Sequence, residues 1–130
     1  MKRLALTGML AAVTLLACDD ESVAPCPLAP VGPAIRVTVT AAATGAALTA
    51  SAAGLVREGT YSDSLRVCDT DVQGTPTARC AAWGRAGTYA VSVSAAGYAP
   101  WDTTGVFVPR GRCENETIQL DVRLQLISSE

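Results

Sequence analysis

The segment TIQLDVRLQL, residues 117–126, alternates Ile118, Leu120, Val122, Leu124 and Leu126 against polar residues without exception. Successive side chains of an extended chain point to opposite sides, so a period of two marks a strand with one buried face. The same texture recurs in AIRVTVT at 34–40, where Ile35, Val37 and Val39 oppose Arg36, Thr38 and Thr40. It appears again at 88–94, where Tyr89, Val91 and Val93 face one way. No stretch beyond the N-terminal run sustains a helical period. Strands with one apolar face need a second sheet to cover it, so the expectation is an all-β chain: a single antiparallel β-sandwich of about seven strands over residues 34–126.

The turns between these runs carry glycine, proline and aspartate, the residues that close tight turns. Ala43-Thr44-Gly45 ends the first strand, and residues 46–58 are small and uninformative beyond a short strand ending near Val56. Tyr61 to Cys68 alternates and reads as one strand, with Asp63 an acidic residue on its apolar side, placed at the strand's beginning. A loop over 69–79 follows, then a short strand from Arg79 to Trp83, a turn at Gly84-Arg85-Ala86-Gly87, and a short strand from Val106 to Val108 bounded by Gly105 and Pro109.

The N-terminus reads differently. Lys2 and Arg3 precede an apolar run from Leu4 to Ala17 of fourteen residues. A membrane-spanning helix needs about twenty, whereas a charged start and a small-residue end suit a secretory signal. Leu15-Leu16-Ala17-Cys18 resembles the lipobox of bacterial lipoproteins. That resemblance implies a signal peptide over 1–17, cleavage before Cys18, and acylation of Cys18 with chains such as palmitate. Two or more chains give stable anchoring, since each buried methylene contributes about 0.8 kcal/mol. Residues 18–33, with four prolines and scattered acids, then read as a flexible tether, and 127–130 as a tail. The expected location is the bacterial cell envelope, lipid-anchored to the inner or outer membrane. Asp19 and Asp20 resemble an inner-membrane retention signal of enteric bacteria, which leaves the choice of membrane open.

Without Lys2 and Arg3 the chain keeps eight arginines against twelve carboxylates, a formal charge of −4. No basic cluster argues for nucleic acid. The remaining cysteines are Cys26, Cys68, Cys80 and Cys113. An even number in an exported chain points to disulfides. Zinc would call for a CxxC pair or histidine, and the chain has neither. Of three possible connectivities, Cys68 with Cys80 would close the intervening loop, and Cys26 with Cys113 would tie the segment before the first strand to the start of the last.

Candidate sites are few. With no histidine there is no Ser-His-Asp or Cys-His arrangement, and no cofactor is expected. Asp69 and Asp71 form a close acidic pair outside the tether and lie in a turn, so catalysis is not expected. Asp69, Asp71 and Gln73 partly match a calcium loop with Gly74 at its sixth position, but Gln73 offers only a neutral oxygen at the fifth and Cys80 stands at the twelfth where a bidentate glutamate belongs. A solvated turn is the preferred reading. Trp83, Tyr98 and Trp101 could offer aromatic faces to a sugar or a peptide, the alternative to a structural or protein-interaction role. Tyr89 in Gly87-x-Tyr89-x-Val91 resembles the tyrosine corner of immunoglobulin-like sandwiches, whose hydroxyl bonds back to the chain. Asn115-Glu116-Thr117 matches the N-glycosylation pattern and is read as coincidental.

Taken in order, AIRVTVTAAATGAAL, AGTYAVSVSAAGYAPWDTTGVFVPRG and a final alternating strand resemble the carboxypeptidase regulatory-like domain. The likeness rests on Thr44-Gly45, Gly87-Thr88-Tyr89 and Ala96-Gly97-Tyr98, and is poor over 46–84. It implies a small immunoglobulin-like or prealbumin-like (transthyretin-like) sandwich that is non-catalytic and has no family active site. The implied partners are the membrane, through the anchor, and an unidentified envelope protein or glycan.

Overall fold

The computed structural model describes Cys26 and residues 31–127. The expected signal peptide over 1–17, Cys18, residues 19–25 and 27–30 of the expected tether, and 128–130 lie outside the described residues. Eight strands follow one another: β1 (Pro33–Ala41), β2 (Ala53–Glu58), β3 (Tyr61–Ser64), β4 (Arg66–Thr70), β5 (Pro76–Trp83), β6 (Gly87–Ser94), β7 (Trp101–Val108) and β8 (Ile118–Leu124). They form two four-stranded sheets, β4-β5-β1-β8 and β3-β2-β6-β7, with no helix among the described residues. The sandwich is the expected all-β class.

The alternating runs behave as their pattern dictates. Ile35, Val37 and Val39 of β1, Tyr89, Val91 and Val93 of β6, and Val122 and Leu124 of β8 are all at most 1% exposed and meet between the sheets with Val56 and Val108. Full burial of each such side chain contributes about 1.5–3 kcal/mol. Gln119, Asp121 and Arg123, the alternate residues of β8, are exposed.

Four expectations need correction. β8 pairs with β1 in parallel, Ile35 opposite Ile118 through Ala41 opposite Leu124, so one sheet is mixed while the other is wholly antiparallel. The run from Tyr61 to Cys68 is two strands in different sheets: β3 pairs with β2, β4 pairs with β5, and the chain crosses between them at buried Leu65. Leu65 closes this crossing on Gly54, whose carbonyl accepts its N–H at 2.9 Å; a Cβ on Gly54 would run into the Leu65 side chain and the Ser92 carbonyl. β5 begins at Pro76, so the loop shrinks to about 71–75. β7 begins at Trp101, because Gly105 at φ +69° takes up a bulge opposite Ala90 that breaks the alternation the sequence shows there.

The pairings define two ends. At one, Cys26 is disulfide-bonded to Cys113 in the loop before β8, Gly84 N–H donates to the Gly32 carbonyl, and Pro33 lies opposite Trp83. This is the stapled end. At the distal end lie the loop 42–52, the loop 95–100 and residues 125–127, where Ala99 N–H donates to Gln125 and Ile127 N–H to Gly97.

Candidate functional site

A group of polar side chains sits at the stapled end, and several of them hold a stretch of backbone. Tyr89 is fully buried, and its hydroxyl donates to the Arg85 carbonyl at 2.7 Å, closing the turn that starts β6 as the tyrosine-corner pattern implies. Burial pushes its phenol above the ordinary value of 10, and the nearby Glu58 carboxylate adds to the shift. Glu58, the last residue of β2, accepts the Thr88 N–H at 2.8 Å and lies 3.8 Å from the Arg85 guanidinium. Its carboxylate fills the space a Cβ on Gly87 would need, so a side chain at position 87 would collide with it. Arg85 in turn stacks 3.7 Å above the Tyr61 ring. These four side chains form one connected cluster of interlocking supports.

Asp63 belongs to the same end. It sits within β3, not at its beginning, opposite Val56 and on the side facing the other sheet. Its carboxylate accepts the Ala82 N–H at 2.9 Å. Ala82 has a φ of +59°, an uncommon backbone for a residue with a side chain. The acidic residue on an apolar face is therefore a bond between sheets, compensating a kinked residue of β5.

The two disulfides are those expected. Cys68 and Cys80 join β4 to β5 with Cα atoms 5.7 Å apart, and Cys26 and Cys113 join across 87 residues with Cα atoms 5.2 Å apart. Cys68 falls at the register shift between Val67 and Asp69. Cys80 is 1% exposed, so this sulfur is shielded while its partner residue lies at the surface.

The acidic turn is occupied by its own backbone. Asp69 accepts the Arg36 guanidinium and the Thr70 N–H, both at 3.0 Å, and the Arg36 hydrogen bond is the main reason its carboxyl lies below the ordinary 3.8. One oxygen of Asp71 accepts the N–H groups of Gln73 and Thr75 at 2.9 and 3.0 Å, and Gly74 takes the φ of +83° that the turn requires. No cluster of three or more metal-ligating side chains occurs among the described residues. Asp69, Asp71 and Gln73 form a solvated turn whose carboxylate oxygens organise the chain.

The three aromatic candidates do not converge. Trp83 stands opposite Pro33 at the stapled end and is 40% exposed. Tyr98 bridges to Leu126 and Trp101 pairs with Val93, both at the distal end, and both pack partly buried against the core. A shared platform of all three is therefore not formed, because the nine residues of β1 separate the two ends. Asn115 is buried, its amide donates to the Glu116 carbonyl, and Thr117 bonds the Pro33 carbonyl, so the glycosylation pattern is closed off in the folded chain. Asn115 also borders a cleft of about 220 Å³ between Val31, Gly84 and the loop from Arg110 to Cys113.

Sequence reasoning missed Glu58 and Arg85. Neither lies in a motif, and the one available signal was the glycine at 87 followed by Thr88, whose N–H had no assigned acceptor. No family model matches the chain, and no curated protein matches it.

Proposed function

We propose that the protein is a lipid-anchored, non-catalytic β-sandwich of the bacterial cell envelope that serves as a structural or protein-interaction module, in the manner of the carboxypeptidase regulatory-like domains it resembles. The observation that carries this reading is the use of the cysteines. All four beyond Cys18 are joined in two disulfides, which supports an oxidising compartment and leaves Cys18 as the fifth, odd cysteine, at the end of an apolar run. The carboxylates add support, since Glu58, Asp63, Asp69 and Asp71 each accept backbone N–H groups.

The test is fractionation of cells producing the full chain, followed by crosslinking in the native envelope. Wild-type protein is expected in the membrane fraction with a reproducible crosslinked neighbour, and the Cys18→Ser chain is expected to lose both. A sugar or peptide that shifts tryptophan fluorescence in wild type but not in a folded Trp101→Ala variant would instead favour the binding-module reading.

A further inference from the structure

On the lipid-anchored reading, the Cys26–Cys113 disulfide decides which part of the sandwich meets the membrane. Seven residues separate Cys18 from Cys26. At no more than about 3.6 Å per step, the stapled loop lies within about 29 Å of the acylated residue, whereas a tether running free to Pro33 would reach about 54 Å. The staple thus removes nearly half of the tether's reach and attaches what remains to one end of the domain.

That end has the side chains of an interfacial surface. Trp83 is 40% exposed, Val31 is 55% exposed and packs beside Gly84, and Phe107 near the end of β7 is 64% exposed. Arg110 and Arg112 project from the loop that holds Cys113, are exposed, and make no ion pair among the described residues. Tryptophan favours the headgroup level, where its ring is half in apolar and half in wet surroundings, and arginine pairs with phosphate. Glu114 and Glu116 share the loop, so the surface has no net positive charge. The contact therefore draws on the phosphate layer and the apolar side chains, not on anionic lipid. We propose that the stapled end rests on the bilayer surface, with Trp83 and Val31 at the headgroups and Arg110 and Arg112 on lipid phosphates, and that the distal end points away.

The two tryptophans lie at opposite ends and report the orientation. Trp101→Phe leaves Trp83 as sole emitter, and Trp83→Phe leaves Trp101. The full acylated chains are reconstituted into phosphatidylcholine vesicles carrying a headgroup-level spin-labelled lipid, with flotation measured in parallel. Trp83 is expected to be quenched several times more strongly than Trp101, and the difference is expected to collapse in a Cys26→Ser, Cys113→Ser chain. Equal quenching of both tryptophans, or stronger quenching of Trp101, in vesicles that float with the protein would overturn the orientation while leaving the anchor intact. Failure to float would remove the anchor itself. An undiminished difference in the cysteine variant would show that the staple does not set the orientation. The comparison of the single-tryptophan chains decides the orientation even where the cysteine variant does not fold.

Discussion

The two ends of the sandwich are built by different means. At the stapled end, side chains carry the connections: a disulfide spans 87 residues, Tyr89 bonds the Arg85 carbonyl, and Glu58 and Asp63 accept N–H groups from Thr88 and Ala82. At the distal end, segments meet mostly backbone to backbone, and side chains hold mainly their own turns, as Asp71 does with Gln73 and Thr75. Leu48 and Ala42 donate to Val39 and Leu124, and Ala99 donates to Gln125, with Thr49 and the Arg79 guanidinium as the main side-chain contributions. Carboxylates accept backbone N–H groups at both ends, Glu58 and Asp63 at one and Asp71 at the other, and the partly exposed aromatics divide likewise, Trp83 and Phe107 at the stapled end and Tyr98 and Trp101 at the distal end. The difference teaches that side chains join distant segments at the stapled end, whereas the distal end relies on backbone pairing and on turns that close on themselves.

The contrast is broken most directly by removing one aromatic from each end. Tyr89→Ala is expected to destabilise by about 3–5 kcal/mol, since it empties a fully buried site. Trp101→Ala, at a partly buried site, is expected to cost clearly less by chemical denaturation. Equal losses would mean that the distal aromatic is as structural as Tyr89. The cysteines come next. Loss of Cys26–Cys113 is expected to cost up to about 4–5 kcal/mol and loss of Cys68–Cys80 up to about 3 kcal/mol, because the first closes the longer loop of the unfolded chain. Paired serine variants, compared by urea midpoint, check that order. At the sheet crossing, Gly54→Ala is expected to cost about 1–3 kcal/mol through overpacking against Leu65 and the Ser92 carbonyl. Truncating Leu65 as well would relieve one collision and leave the other.

The smallest effects are those of pH. Asp69 and Asp121 lie below the ordinary carboxylate value, Asp69 chiefly through the Arg36 hydrogen bond and Asp121 chiefly through the Thr38 hydroxyl at 2.7 Å. A depressed folded value means that their contribution is present above the ordinary 3.8 and is lost as pH falls through the folded value. Tyr89 has the opposite sign. Its contribution is present below 10 and is lost as pH rises through the raised folded value. Acid melts with Asp121→Asn should therefore show a flatter decline, and alkaline melts with Tyr89→Phe should do the same, after a loss of about 1 kcal/mol at neutral pH for the hydroxyl bond.

How much of this was legible follows from the residues. β1, β6 and β8 alternate cleanly because one face of each is core and the other solvent, so a period of two shows. The run from Tyr61 to Cys68 also alternates, yet nothing local marks Leu65 as the point where the chain leaves one sheet for the other. That crossing depends on Gly54, eleven positions earlier, leaving room for it. The Gly105 bulge shifts the pattern of β7 by one residue, so the sequence shows only Val106 to Val108 as a strand. Among the site residues, Tyr89 and both disulfides were visible through local motif and cysteine parity. Asp63 was visible only as an anomaly, since its partner is a backbone N–H of Ala82 nineteen residues away whose positive φ no sequence pattern announces.

The proposed lipid anchor on Cys18 underlies both the proposed function and the proposed orientation, and intact-mass analysis of the chain recovered from cells tests it most directly. The predicted result is a chain that begins at Cys18, carries the mass of two or more acyl groups, and sediments with membranes, with Cys18→Ser giving an unacylated chain that does not. A wild-type chain of unmodified mass recovered in the soluble fraction would contradict it.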